Sequence, residues 1–230
     1  MGSPMGHESP FDPLVTLAAA AARWDRLSER LRPEIRNRLV ELLAVARAPE
    51  RGEAARLAAD RAASLLRERL PDEFGEGASA RLVAVHDAAG GPPTVQGFAA
   101  EDLAVLLIDG HRMVGPVLGP VRERLLAEPA LDPDTVERRG GSPYSPDLIR
   151  LRGPGGRLRL PSFQFSEDAL PWLTVLEVNA LLNADHDPWG VADWWLSDNA
   201  WLGTCPARLL GSGRDRQLVE TARFLMESDY

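Results

Sequence analysis

A single cysteine, Cys205, stands among 230 residues, and there is no lysine at all. One thiol closes no internal disulfide and supplies no cysteine-based metal site, so the chain suits a reducing compartment and is expected in the cytoplasm. No apolar run nears the roughly 18 residues of a membrane span, so no membrane partner is expected. Residues 1–10 lack the basic and apolar regions of a secretory signal and read as a tag remnant or a tail. Catalytic signatures are missing too. "GPGG" lacks the Lys and Ser/Thr of a phosphate-binding loop, and HExxH, GxSxG and paired carboxylates do not occur. His7, His86, His111 and His186 are scattered, and the "DHD" around His186 offers neighbouring rather than same-face ligands. Nucleophile, base and orienting group cannot be named together, so the chain is expected not to be an enzyme and to carry neither cofactor nor metal.

The basic side is arginine alone, 26 against 34 acidic residues, for a net charge of −8. Stretches 1–98, 99–150 and 151–230 carry −1, −3 and −4. None shows the basic excess of a dedicated nucleic-acid binder.

What is present is mostly helix. "DPLVTLAAAAARWDRLSERL" sets Leu14, Leu17, Ala21, Trp24, Leu27 and Leu31 at helical spacing, with Asp12 as N-cap and Pro13 in the first turn. "PEIRNRLVELLAVAR" and "GEAARLAADRAASLLRERL" repeat the apolar stripe, and Pro71 ends the third helix. These three predict an N-terminal helical bundle. The run Leu82–Val85 reads as a strand or a helix end before a loop. Residues 99–127 read as helix interrupted at Asp109-Gly110, Gly115-Pro116 and Gly119-Pro120. Such pieces offer a place for a helix-turn-helix within 99–140, whose recognition element would carry Arg112, or Arg122 and Arg124. Asp132 and Pro133 open another short helix.

Ile149 to Leu160 alternates leucine and arginine on two arms about "GPGG". This predicts a β-hairpin near 148–160 with one apolar and one arginine face. Helices follow. Leu173, Leu176, Val178, Leu181 and Leu182 form the expected stripe of the first. Asp187 and Pro188 open the second, and a last helix turns Leu218, Val219, Ala222 and Leu225 inward. The expected fold class is mainly α: a helical N-terminal region over 11–140, then a small helical domain with one hairpin over 148–230.

That domain holds four of the six tryptophans within "DPWGVADWWLSDNAWLG". An indole buries on the order of 200 Å², at about 25 cal/mol per Å², so a core role is the ordinary reading. Trp and Arg also dominate binding hot spots. Adjacent helical residues point about 100° apart, so one of Trp194 and Trp195 is expected in the core and the other nearer a rim. Trp201 is expected to pack back over the helix.

The order "LRLPSFQF", "LPWLTVLEVNALL", "DPWGVADWWLSDNAWLGTCPARLL", "LVETARFL" resembles the toxin-binding domain of Xre/MbcA/ParS-type antitoxins over about the last third of the chain. The resemblance implies an antitoxin of a type II toxin–antitoxin pair. Such a protein binds a RES-domain toxin, an NAD-consuming enzyme, and occludes its active site, usually with C-terminal residues. It further implies a homodimer or hetero-oligomer and, through an N-terminal helix-turn-helix, operator DNA as a second partner. The residues assigned to toxin binding are Trp189, Trp194, Trp195, Trp201, Arg214, Arg216, Phe224, Met226 and Tyr230. The alternative reading is a DNA-binding regulator without a toxin partner.

Overall fold

A computed structural model describes residues 12–48, 52–75, 84–85, 91–166 and 170–228. Residues 1–10, His86 and Tyr230 lie outside them. The fold is mainly helical, and the chain divides into two compact units, Met1–Pro120 and Val121–Tyr230.

In the first unit, Asp12 accepts a bond from the Leu14 N–H at 2.8 Å and Pro13 opens α1 (Pro13–Ala22), as the Asp-Pro pair predicts. The long first helix expected from the sequence is broken at Arg23, and Trp24–Ser28 forms a separate short α2. The break follows from packing. Ala18, Ala19 and Ala20 are fully buried in succession, so α1 is enclosed on all sides rather than along one stripe. Small side chains let α4 (Glu53–Arg69), β2 (Thr94–Val95), β3 (Phe98–Ala99) and α6 (Ala100–Ala104) close around it. α3 (Pro33–Ala46) covers α4 from the other side, and α5 (Pro71–Phe74) begins where Pro71 ends α4. The bundle is as expected. Of the run read as a strand or a helix end, Leu82 and Val83 lie outside the described residues and Ala84–Val85 is strand; its partners in a sheet were not foreseen. β1 (Ala84–Val85), β2 and β3 form an antiparallel sheet in that order. Gln96 (φ 53°) and Gly97 (φ 80°) join β2 to β3 through a tight turn with both central residues left-handed.

Two glycines fix the next segment. Gly115 has φ +76°, and a Cβ on it would lie 2.6 Å from the Phe98 ring; a Cβ on Gly97 would lie 2.8 Å from Pro116. Gly115→Ala therefore meets both left-handed strain and overlap. We expect it to lower stability by about 2–3 kcal/mol, read as a shift in the urea midpoint without a change in slope. After α6 the chain makes a π-helical turn, Val105–Asp109, capped by left-handed Gly110. The break expected there is real. The break expected at Gly119-Pro120 is not, because α7 (Gly115–Ala127) runs through Pro120, one turn in, where the missing N–H forfeits a single bond.

In the second unit, β4 (Ala130–Leu131) and β5 (Leu151–Arg152) both pair with β6 (Leu158–Pro161), which lies between them. β4 draws α8 (Pro133–Arg138) into the same compact unit as the hairpin. Asp132 caps α8, accepting from the Thr135 N–H at 2.8 Å and hydroxyl at 2.9 Å, which lowers its pKa below the ordinary 3.8. A depressed carboxylate contributes stability above its unfolded pKa and loses it as pH falls through the folded one. The stability gap between the wild type and Asp132→Ala should thus be widest at neutral pH and shrink in acid, as denaturation at a series of pH values would show.

The hairpin is shorter than expected, and its faces are mixed. Leu151 opposes Arg159 and Arg152 opposes Leu158, so each face of the pair carries one leucine and one arginine. The sheet buries Leu160 and Leu151 on its two faces, and Leu148 and Ile149 are buried ahead of the strand. The arginines adapt: Arg159 is half-buried and donates to the Glu128 carbonyl at 3.2 Å.

Three helices complete the unit: α9 (Leu173–Leu181), α10 (Pro188–Leu196) and α11 (Asp215–Ser228). Asp187 caps α10 through the Gly190 N–H at 2.9 Å, with Pro188 in the first turn, as expected. The buried stripe of α9 is Val175, Val178, Asn179 and Leu182, and Leu173 is 83% exposed. The buried face keeps Val178 and Leu182 of the expected stripe but takes Val175 and Asn179 in place of Leu173, Leu176 and Leu181.

Candidate functional site

The tryptophan cluster divides into a buried part and a displayed part. Trp195 is fully buried and Trp189 is 8% exposed, whereas Trp194 is half-buried. The adjacent pair diverges as the helix geometry requires, their rings meeting edge to face at 5.1 Å, and Phe163 lies 5.5 Å from Trp195. The buried ring is held by polar groups that sequence reasoning missed. Asn179 Oδ1 accepts from the Trp195 indole N–H at 2.8 Å. Its Nδ2 donates to the Asp147 carbonyl at 2.8 Å and to Gln164 Oε1 at 3.2 Å. Gln164 Oε1 accepts from the Ile149 N–H at 2.7 Å, and its Nε2 donates to the Ile149 carbonyl at 3.1 Å. Cys205 Sγ, also buried, donates to the Trp195 carbonyl at 3.2 Å. Both amides are fully buried, and they join α9, α10 and the segment before β5. The available signal was an amide side chain placed at i+4 from Val175 and i+1 from Val178, on the valine face of the helix.

Trp201 is more open than a packed indole: it is 60% exposed, and its ring packs edge to face against Phe224, itself 53% exposed, at 5.3 Å. The loop that presents it is built locally. Asn199 Oδ1 accepts from the N–H groups of Trp201 (2.9 Å) and Leu202 (3.2 Å), and the Asn199 N–H bonds the Thr204 carbonyl at 3.2 Å. Gly203 supplies φ +70°. Leu202, 5% exposed, anchors the loop and turns its neighbour outward. Phe224 sits on α11, whose Leu218 and Ala222 point into the core. Thr174 Oγ1 bonds Asp215 Oδ1 at 2.8 Å and ties the start of α11 to α9.

The other assigned residues spread out. Arg216 is exposed and pairs with Glu220 at 2.7 Å, which raises its pKa through that hydrogen bond and charge. Arg214 is half-buried and donates to Gln217 at 2.8 Å, and Met226 is half-buried. Trp189, Trp195 and Trp194 belong more to the core than to a surface. Of the arginines considered for DNA, Arg112 is exposed and pairs with Asp25 at 3.1 Å. Arg122 is buried, and Arg124 is engaged with Asp193 and Ser197. Among the described residues no group of three His, Cys, Asp or Glu is arranged to hold a metal, and no helix is long and apolar enough to cross a membrane.

Among its described residues, the second unit thus combines a polar-stapled core with the exposed Trp201–Phe224 pair. No protein-family model, curated protein or solved structure matches the chain.

Proposed function

We propose that this protein is the antitoxin of a type II toxin–antitoxin pair, acting in the cytoplasm by holding a RES-domain, NAD-consuming toxin and covering its active site. In this reading it performs no chemistry of its own, and its working form is a homodimer or a hetero-oligomer with the toxin. The observation that carries the reading is the exposed Trp201–Phe224 pair. Two large rings are left in water on a loop and on the last helix, close to the chain end. Their burial against a partner would recover the apolar area that folding leaves exposed. The order of motifs from Leu151 to Leu225, which resembles the antitoxin toxin-binding domain, gives that partner its class. The alternative, a DNA-binding regulator, draws less support, because Arg122 is buried and Arg124 is engaged within its own unit.

Co-expression with the product of the adjacent reading frame tests the proposal. The expected result is a stable complex and rescue of growth from the toxin. Absence of both would overturn it. Removing residues 224–230 separates the role of the chain end: inhibition retained after that deletion would leave binding elsewhere and refute the assigned contact.

A further inference from the structure

The first unit holds a cavity of about 440 Å³ between the α1–α2 junction, β3, the π-helical turn and Val114. Its size falls in the range of small-molecule sites, roughly 300–1,000 Å³. Trp24, Phe98, Leu106 and Val114 supply apolar walls, and Ala21 and Ala22, with short side chains, leave the space between them open. Among the described residues, Arg23, Arg26 and Arg112 line the same cavity, with Asp25 as the acidic lining residue. In a chain of net charge −8 this is a local excess of cations.

The walls are fixed from behind. Phe98 is seated on Gly115, where no side chain would fit. Leu106 lies in the π-helical turn, a geometry often found at functional sites. That turn is held by Asp109, whose carboxylate is 2% exposed and bonded to Arg47 at 2.8 Å, while Arg47 also pairs with Glu101 at 2.6 Å. The cations are not equally committed. Arg23 and Arg26 share the carboxylate of Glu73, at 3.5 and 2.7 Å. Arg112 pairs with Asp25 in a contact whose side chains are 80% and 77% exposed. Such a surface pair contributes about 0–1 kcal/mol, so an incoming anion exchanges for Asp25 at little cost.

We propose that this cavity binds a small amphipathic anion, a flat apolar or aromatic body with one carboxylate-type head group, the body between Trp24, Phe98 and Leu106 and the head on Arg112. This goes beyond the partner-binding reading and involves a different unit of the chain. A polyphosphate fits less well, because most of the wall is apolar and two of the three guanidinium groups already share Glu73.

The test titrates the full-length chain with 2-naphthoate and with its uncharged counterpart, 2-naphthalenemethanol, by calorimetry and tryptophan emission. Trp24 precedes the other five tryptophans by more than a hundred residues, and Trp24→Phe identifies its share of the signal. The expected result is one saturable naphthoate site, with the alcohol weaker by about tenfold or more. Ala22→Phe, which fills the cavity, should abolish binding of both. Arg112→Gln, at an exposed position that folding does not depend on, should bring naphthoate down to the affinity of the alcohol. Trp201→Ala should leave the titration unchanged. No saturation up to roughly 1 mM, the weak end of specific binding, would overturn the proposal. So would equal affinity for acid and alcohol, or loss of binding in Trp201→Ala instead of Arg112→Gln.

Discussion

Asn179→Leu should destabilise the second unit by about 4 kcal/mol. The substitution keeps the volume and removes both arms of the amide. It leaves the fully buried Trp195 indole N–H and the part-buried Asp147 carbonyl without their bonds at 2.8 Å. Each orphaned buried group costs about 1–3 kcal/mol, and a domain's whole stability is about 5–15 kcal/mol. Urea denaturation followed by far-UV circular dichroism gives the number. Trp195→Phe added to Asn179→Leu removes the orphaned donor, so the double variant should be less destabilised than the sum of the singles by about 1 kcal/mol or more. Strict additivity would mean that the Asn179–Trp195 bond has no energetic part in holding the ring.

The second large effect concerns binding rather than stability. Trp201→Ala and Phe224→Ala should each weaken the proposed complex with a toxin by about 2 kcal/mol or more, close to thirtyfold in Kd. Neither ring is core, at 60% and 53% exposure, so the urea midpoint should move little. The pair packs edge to face, and aromatic pairs of this kind contribute about 0.5–1.5 kcal/mol beyond area. Each truncation also loosens its partner, and the two effects should fall short of adding. Calorimetric titration of each variant into the purified toxin measures this. Unchanged affinity in both would move the contact away from α11 and its facing loop.

Much of this fold is legible in the residues, and the failures have physical causes. Asp-Pro at 12–13, 132–133 and 187–188 announces three helix starts, because a side-chain acceptor followed by a ring with fixed φ satisfies local needs wherever the helix then packs. Features that depend on distant partners were hidden. The sheet β1–β2–β3 rests on two-residue strands and a Gln-Gly turn, too short for alternation to register. Trp201 was assigned to packing because indoles usually bury; nothing in "NAWLG" tells that Leu202, not Trp201, is the anchor. Asn179 and Gln164 were passed over for the complementary reason. A buried amide is favourable only when its partners are all in place, and those partners are backbone groups from other segments. The adjacent pair Trp194 and Trp195 was the case where local geometry sufficed, since one residue of helix turns a ring by about 100°.

The pairing of Leu151 with Arg159 and Arg152 with Leu158 fixes the face on which each side chain of the hairpin stands. Odd-numbered residues of one arm meet odd-numbered residues of the other, and Leu151 and Leu160 are buried on opposite faces of the sheet only under that condition. A slip of the pairing by one residue would turn a whole strand over and send an arginine where a leucine belongs. The register is therefore held by the buried strand residues Leu151 and Leu160 rather than by the length of "GPGG", so a tag or a label inserted there should be tolerated in odd and even steps alike.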